Sequence, residues 1–214
     1  MGTATAFWSF AVVVGLLTLT PGLDTALILR TAAAGRRREA WGVVLGIQTG
    51  TMTWGALSSL GVTALLAASH AAYDTVRLVG AAYLLWMGAR MLWTSMRRGH
   101  GVAEPTAEEE RPAPTSGLFP GWRRGALTNL LNPKIGVFYV AVLPQFIPAN
   151  APHLAMGVAL TCVHVVEGLL WSATLVAFAQ VLRGWLRRPV AQRVLDRITG
   201  TVIVGFGVKL AIGD

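Results

Sequence analysis

Cysteine occurs once in 214 residues, at Cys162. A single thiol excludes an internal disulfide and any cysteine-built zinc site within one chain. It also disfavours a membrane thiol–disulfide electron conduit, whose chemistry needs two exchanging cysteines. Charge is scarce too: 13% of the residues are Asp, Glu, Lys or Arg, about half of the roughly 25% usual in soluble domains. The formal net charge of +8 does not point to nucleic acid, because the basic residues punctuate hydrophobic runs instead of gathering on a soluble face. No positive charge precedes Arg30, so the basic start of a signal peptide is missing. The first apolar run, Phe7 to Leu29, also exceeds the usual h-region of about 7 to 15 residues. It is expected to remain as a first span. Short strands of alternating polarity, the mark of an outer-membrane barrel, are lacking as well.

What is present is apolar length: 54% of the chain is hydrophobic, and runs of about 20 residues cross a bilayer as helices. Six are expected, at Phe7–Leu29, Trp41–Ala68, Val76–Met96, Gly125–Ile147, Leu154–Leu182 and Leu195–Ile212. The sequence therefore predicts an all-α integral membrane protein with the lipid bilayer as its partner. Arg30 with Arg36–Arg38, then Arg97, Arg98, Arg111, Arg123 and Arg124, then Arg183, Arg187, Arg188 and Arg193 mark alternate connections as cytoplasmic, since short basic loops stay inside. The connections around Ser69–Thr75 and Pro148–His153 carry no Lys or Arg, so both termini are expected outside the cytoplasm. Between Gly99 and Gly117 four glutamates and three prolines stand among small residues, which reads as a flexible cytoplasmic linker. The expected organisation is a three-helix repeat over 1–96, a linker over 97–118 and a second repeat over 119–214. An odd helix number inverts the second half relative to the first, as in inverted-repeat transporters.

Chemistry concentrates where these helices should break. Thr20-Pro21-Gly22-Leu23-Asp24 joins a missing amide donor to a flexible glycine, so the first helix should kink at Pro21 and Gly22. Asp24 then falls near the start of the next half-helix, about 9 Å inward from Arg30 at helical rise, where the helix dipole favours an anion. It serves either to satisfy amides freed by Pro21 or to bind a proton or a substrate ammonium; intramembrane carboxylates are costly and mark function. Asn132-Pro133-Lys134 supplies an N-cap, a first-position proline and a cation about 15 Å inward from Arg124. Lys134 and Asp24 thus fall at neighbouring depths, where they would pair with each other or with the two ends of a zwitterion; snorkelling of Lys134 is the alternative. Pro144-Gln145-Phe146 makes a further break, and Pro133 and Pro144 compete as the counterpart of Pro21. Gln145 either contacts substrate or caps a helix end. His164 and Glu167 share a face of the fifth helix, as a proton relay or an internal hydrogen bond. Gly42, Gly46 and Gly50 form a flat stripe for close helix packing; Gln48, Thr49, Thr51 and Thr53 are polar on the same helix.

The combination resembles the LysE/RhtB family of bacterial amino-acid exporters over nearly the whole chain. It is carried by Thr20 to Asp24, the basic Arg36–Arg38, Gly80-Ala81-Ala82-Tyr83-Leu84 with Gly88, Gly125, Asn129-Leu130-Leu131-Asn132-Pro133-Lys134 and Leu143-Pro144-Gln145-Phe146. Leu23 departs from the second proline of the family's Pro-Gly-Pro-Asp motif, which implies a milder kink. The resemblance implies export of amino acids or related zwitterions across the bacterial cytoplasmic membrane, driven by the proton gradient, with Asp24 and Asn132-Pro133-Lys134 at motif positions. It further implies a homodimer, no cofactor and no catalysis. The competing reading is a cation or metal-resistance exporter, disfavoured because no cluster of Cys, His and carboxylates serves as a soft-metal site.

Overall fold

The computed structural model describes residues 2–68, 70–97, 117–148, 150–181 and 188–212. Among them the regular structure is helical throughout. Most of the expected acidic linker, 98–116, and part of the third basic connection, 182–187, lie outside the described residues.

The first span is two helices, α1 (Thr3–Leu19) and α2 (Leu23–Ala33), bent by 53°. Thr20 precedes Pro21 and is extended, at φ −72° and ψ 118°, because the proline ring disfavours the α region for the residue before it. Its hydroxyl donates back to the Leu16 carbonyl at 2.8 Å. Helix α3 runs from Arg37 to Ala68 and α4 from His70 to Arg97. The expected connection at 69–75 is therefore mostly helix, since His70, Ala71 and Ala72 carry no breaker and alanine favours helix. Helices α5 (Leu118–Leu130) and α6 (Pro133–Val137) meet at a second bend of 54°. Past Val137 the chain widens into a π turn, Phe138–Val142, then tightens into a 3₁₀ turn, Leu143–Phe146. Helix α7 spans His153–Ala177. Helix α8 spans Pro189–Ile212 and begins earlier than the expected Leu195, because a first-turn proline starts a helix without losing a bond.

By length and hydropathy α7 is able to cross a membrane, and the two bent pairs raise that number to three among the described residues. Helices α3, α4 and α8, at 32, 28 and 24 residues, are each longer than the roughly 20 residues that a span needs.

The glycine stripe is an interface. A Cβ on Gly42 or Gly46 would run into the backbone of Leu118 and Trp122, and one on Gly121 or Gly125 into that of Glu39 and Val43. α3 and α5 therefore touch backbone to backbone, as small residues permit between membrane helices. Gly88 on α4 and Gly200 on α8 do the same, each against the other's carbonyl. Helix α7 lies parallel to the bent first span: Gly15 faces Glu167, and further along the Gln180 amide donates to the Ala33 carbonyl at 2.9 Å.

Two apolar clusters form the core. One, at the end holding Ala6, Phe10, Ile147 and Met156, centres on Phe138 and Tyr139. The other gathers Ile28, Ala32, Val43, Val44, Leu175 and Val176 toward the arginine-rich end. The polar residues described next lie between them.

Candidate functional site

Both bends open onto one cavity. It has about 60 Å³ of space for the centres of water-sized spheres, room for a few waters. Asp24, Gln48, Thr51, Asn129, Asn132, Lys134, His164 and Ser172 line it, beside Ile28, Ile47, Ile135 and Leu175.

Each charge stands at the helix end that suits its sign. Lys134, in the first turn of α6, extends its Nζ to the carbonyls of Leu17 at 3.0 Å and Thr20 at 3.2 Å. Those oxygens belong to the end of α1, where carbonyls lack intrahelical partners and the dipole is negative. Asp24 is in the first turn of α2, at a positive helix end. Its Oδ2 accepts from the Asn129 side-chain amide at 2.9 Å. The expected Asp24–Lys134 pair is replaced by this arrangement: among the described residues no ion pair joins them, and the lysine caps α1 instead. Asn132 caps α6 as anticipated, its Oδ1 accepting the Lys134 amide at 3.1 Å. The bend at Pro133, 54°, nearly equals the 53° bend at Pro21.

His164 reaches the cavity from α7. Its Nδ1 and the Tyr139 hydroxyl share a hydrogen bond of 2.8 Å, with the rings stacked at 12°. Tyr139 sits on the π turn, whose widened winding is common at functional sites, and its carbonyl accepts from Ser58 Oγ at 2.6 Å. Glu167 is brought elsewhere: its carboxylate faces Gly15 of α1, and Oε2 is buried without a partner. Gln145 is half-buried in the 3₁₀ turn with Pro144, and neither lines the cavity. Of the polar residues on α3, Gln48 and Thr51 line it, whereas Thr49 and Thr53 bond back to their own helix. Gly168 leaves room for the Gln48 amide.

Sequence reasoning gave no role to two residues that matter here. Asn129 is 1% exposed and holds Asp24; its position three residues before Asn132 puts both on one side of the chain, a signal present in the sequence. Glu39, 2% exposed, pairs with Arg36 at 3.1 Å and with Arg124 at 2.9 Å, which ties α3 to α5 at the arginine-rich end. An acid following three arginines at a helix start was the available clue.

The chain that folds into this polar cavity between two proline-broken helices also matches a described family. Residues 15–214 fit the profile of the LysE type translocators. The chain belongs to this family. Among its relatives, the threonine efflux protein of Escherichia coli (strain K12) is 30% identical over 96% of this chain and 97% of its own length. The leucine efflux protein of Enterobacter sp. (strain 638) is 27% identical over 96% and 94%. An uncharacterized membrane protein of Bacillus subtilis (strain 168), YrhP, is 26% identical over 94% and 95%. No solved structure matches. Membership makes the chain a membrane translocator.

Proposed function

We propose that this translocator exports amino acids from the cytoplasm, binding them in the cavity at the two helix breaks. Asp24 Oδ1 and Asn129 Oδ1 are buried acceptors without a protein partner, which suits a substrate ammonium. Lys134 spends two of its three N–H groups on α1 carbonyls and offers the third to the substrate carboxylate. The position of this polar cavity between two apolar clusters is the single observation that carries the reading. Alternating access requires a polar site that each side reaches in turn, and a cluster that parts on one side while the other stays packed supplies that.

In this reading the six segments α1–α2, α3, α4, α5–α6, α7 and α8 each span the membrane. The two halves are inverted repeats, the arginine-rich end is cytoplasmic and both termini lie outside. Equal bends at the start of each half support the repeat. The named activities of the threonine and leucine efflux relatives support amino acids as cargo. Export is driven by protons moving inward, with Asp24 and Glu167 as the carboxylates available to carry them and His164 beside the path.

The test is flux of a panel of labelled amino acids in proteoliposomes, with and without a pH gradient. At least one zwitterion should move, faster when the gradient is imposed. No substrate-dependent flux for any zwitterion would sink the proposal; flux indifferent to the gradient would remove only the proton coupling.

A further inference from the structure

Six buried side-chain polar atoms among the described residues have no hydrogen-bond partner. Four belong to residues lining the cavity at the two bends: Asp24 Oδ1, Asn129 Oδ1, Thr18 Oγ1 and Trp171 Nε1. The first two are acceptors used above. The other two are hydrogen-bond donors on different helices, and an indole N–H can only donate.

Several helical threonines donate to the carbonyl four residues back, as Thr31, Thr49, Thr53, Thr161 and Thr174 do at 2.7 to 3.0 Å. The same option exists for Thr18 on α1, and its hydroxyl does not take it. Leaving a buried donor unpaired costs more than a made bond returns, so a conformation that does so beside a cavity is suited to a partner inside it.

The helix register brings the two donors together. α1 and α7 run parallel from the Gly15–Glu167 contact. Thr18 lies three residues beyond that contact on α1, and Trp171 four beyond it on α7, so both stand about one turn further toward the arginine-rich end. Trp171 also packs on the apolar cluster there. Ile28, Ile47 and Leu175 share this wall with Thr25, Gln48, Thr51 and Ser172.

We infer that Thr18 and Trp171 form the side-chain subsite of the transporter, selecting substrates whose short side chain carries a hydrogen-bond acceptor over apolar ones of the same shape. This rests on the proposed binding of the substrate's ammonium and carboxylate at Asp24, Asn129 and Lys134. A side chain directed from that anchor toward the arginine-rich end meets the hydroxyl and the indole N–H. A hydroxyl or amide oxygen there accepts both, whereas a methyl group leaves both unpaired as the cavity closes. Discrimination of this kind exceeds what apolar fit alone provides.

Threonine and valine are the probes, because they differ by a hydroxyl for a methyl at nearly constant shape. In proteoliposomes the wild-type ratio of threonine to valine flux is expected to be at least about tenfold. Thr18→Val and Trp171→Phe should each lower that ratio by at least about fivefold, chiefly by slowing threonine, and Thr18→Ser should preserve it. Equal wild-type fluxes of the two, or a ratio unmoved by folded Thr18→Val and Trp171→Phe, would overturn the subsite and leave amino-acid export standing. Absence of flux for every amino acid would instead end the underlying reading, and the subsite with it. The wild-type ratio needs no variant, so it decides the matter even where a substitution prevents folding.

Discussion

Asp24 and Lys134 occupy one cavity, yet neither is the other's partner. Lys134 is bound to the last carbonyls of α1, and Asp24 to the Asn129 amide at the start of α2. Exchanging the two charges would set a carboxylate against carbonyl oxygens and an ammonium at the positive end of a helix, both unfavourable. The double variant Asp24→Lys/Lys134→Asp is therefore expected to be inactive and no better than either single charge reversal. Recovery of flux in the double variant would restore the direct pair suggested by the sequence. Asp24→Asn keeps shape and a hydrogen bond to Asn129 while removing the charge. Losing a charged partner of this kind costs about 1.5–3 kcal/mol, so coupled flux should fall roughly tenfold to a hundredfold, with unchanged membrane insertion. Undiminished flux would take Asp24 out of the mechanism. The sequence located both residues because proline, glycine and asparagine are local signals. It did not reveal Lys134's bonds to Leu17 and Thr20, which lie 117 and 114 positions away.

At the scale of elements, glycine placement decides how near the helices come. Gly42, Gly46 and Gly50 were legible as a packing stripe, but their partner was not. It is α5, through Gly121 and Gly125, and nothing in a single sequence pairs one small-residue face with another. Gly46→Ala is expected to destabilise the protein by about 1–3 kcal/mol, as over-packing does, because its Cβ meets backbone atoms of Trp122 and Ala126 that cannot rotate away. Gly61 serves as a control on the same helix: a Cβ there meets nothing within 4 Å. Gly61→Ala should be neutral or stabilising by up to about 1 kcal/mol. Thermal unfolding of the detergent-solubilised protein measures both, and equal effects would show that backbone contact between α3 and α5 contributes little. Helix ends were the least legible part. The π turn at 138–142 and the helical start of α4 at His70 depend on tertiary packing and on the lack of a breaker, which charge counting along loops does not detect.

For the whole molecule, hydrophobic run length was enough to announce a helical membrane protein. The apolar cluster on the arginine-rich side of the site was not legible, because it joins Ile28, Val43 and Leu175 from three helices. That cluster bears directly on transport. If export proceeds by alternating access and the arginine-rich end opens by parting α2 from α7, the Gln180–Ala33 hydrogen bond spans that seam at the edge of the cluster. Gln180 is exposed and Ala33 half-buried, so a thiol reagent reaches both positions. In a background with exposed Cys162 changed to serine, Ala33→Cys/Gln180→Cys bridged by a short, reducible bifunctional reagent should lose transport. Reduction should restore it, and each single cysteine variant should transport normally after the same treatment. A bridge at this point holds the seam shut without touching Asp24, Lys134 or the cavity wall, so lost flux reports on opening and not on binding. Full flux through the bridged protein would place the opening elsewhere, and α2 and α7 would then be a fixed wall of the site.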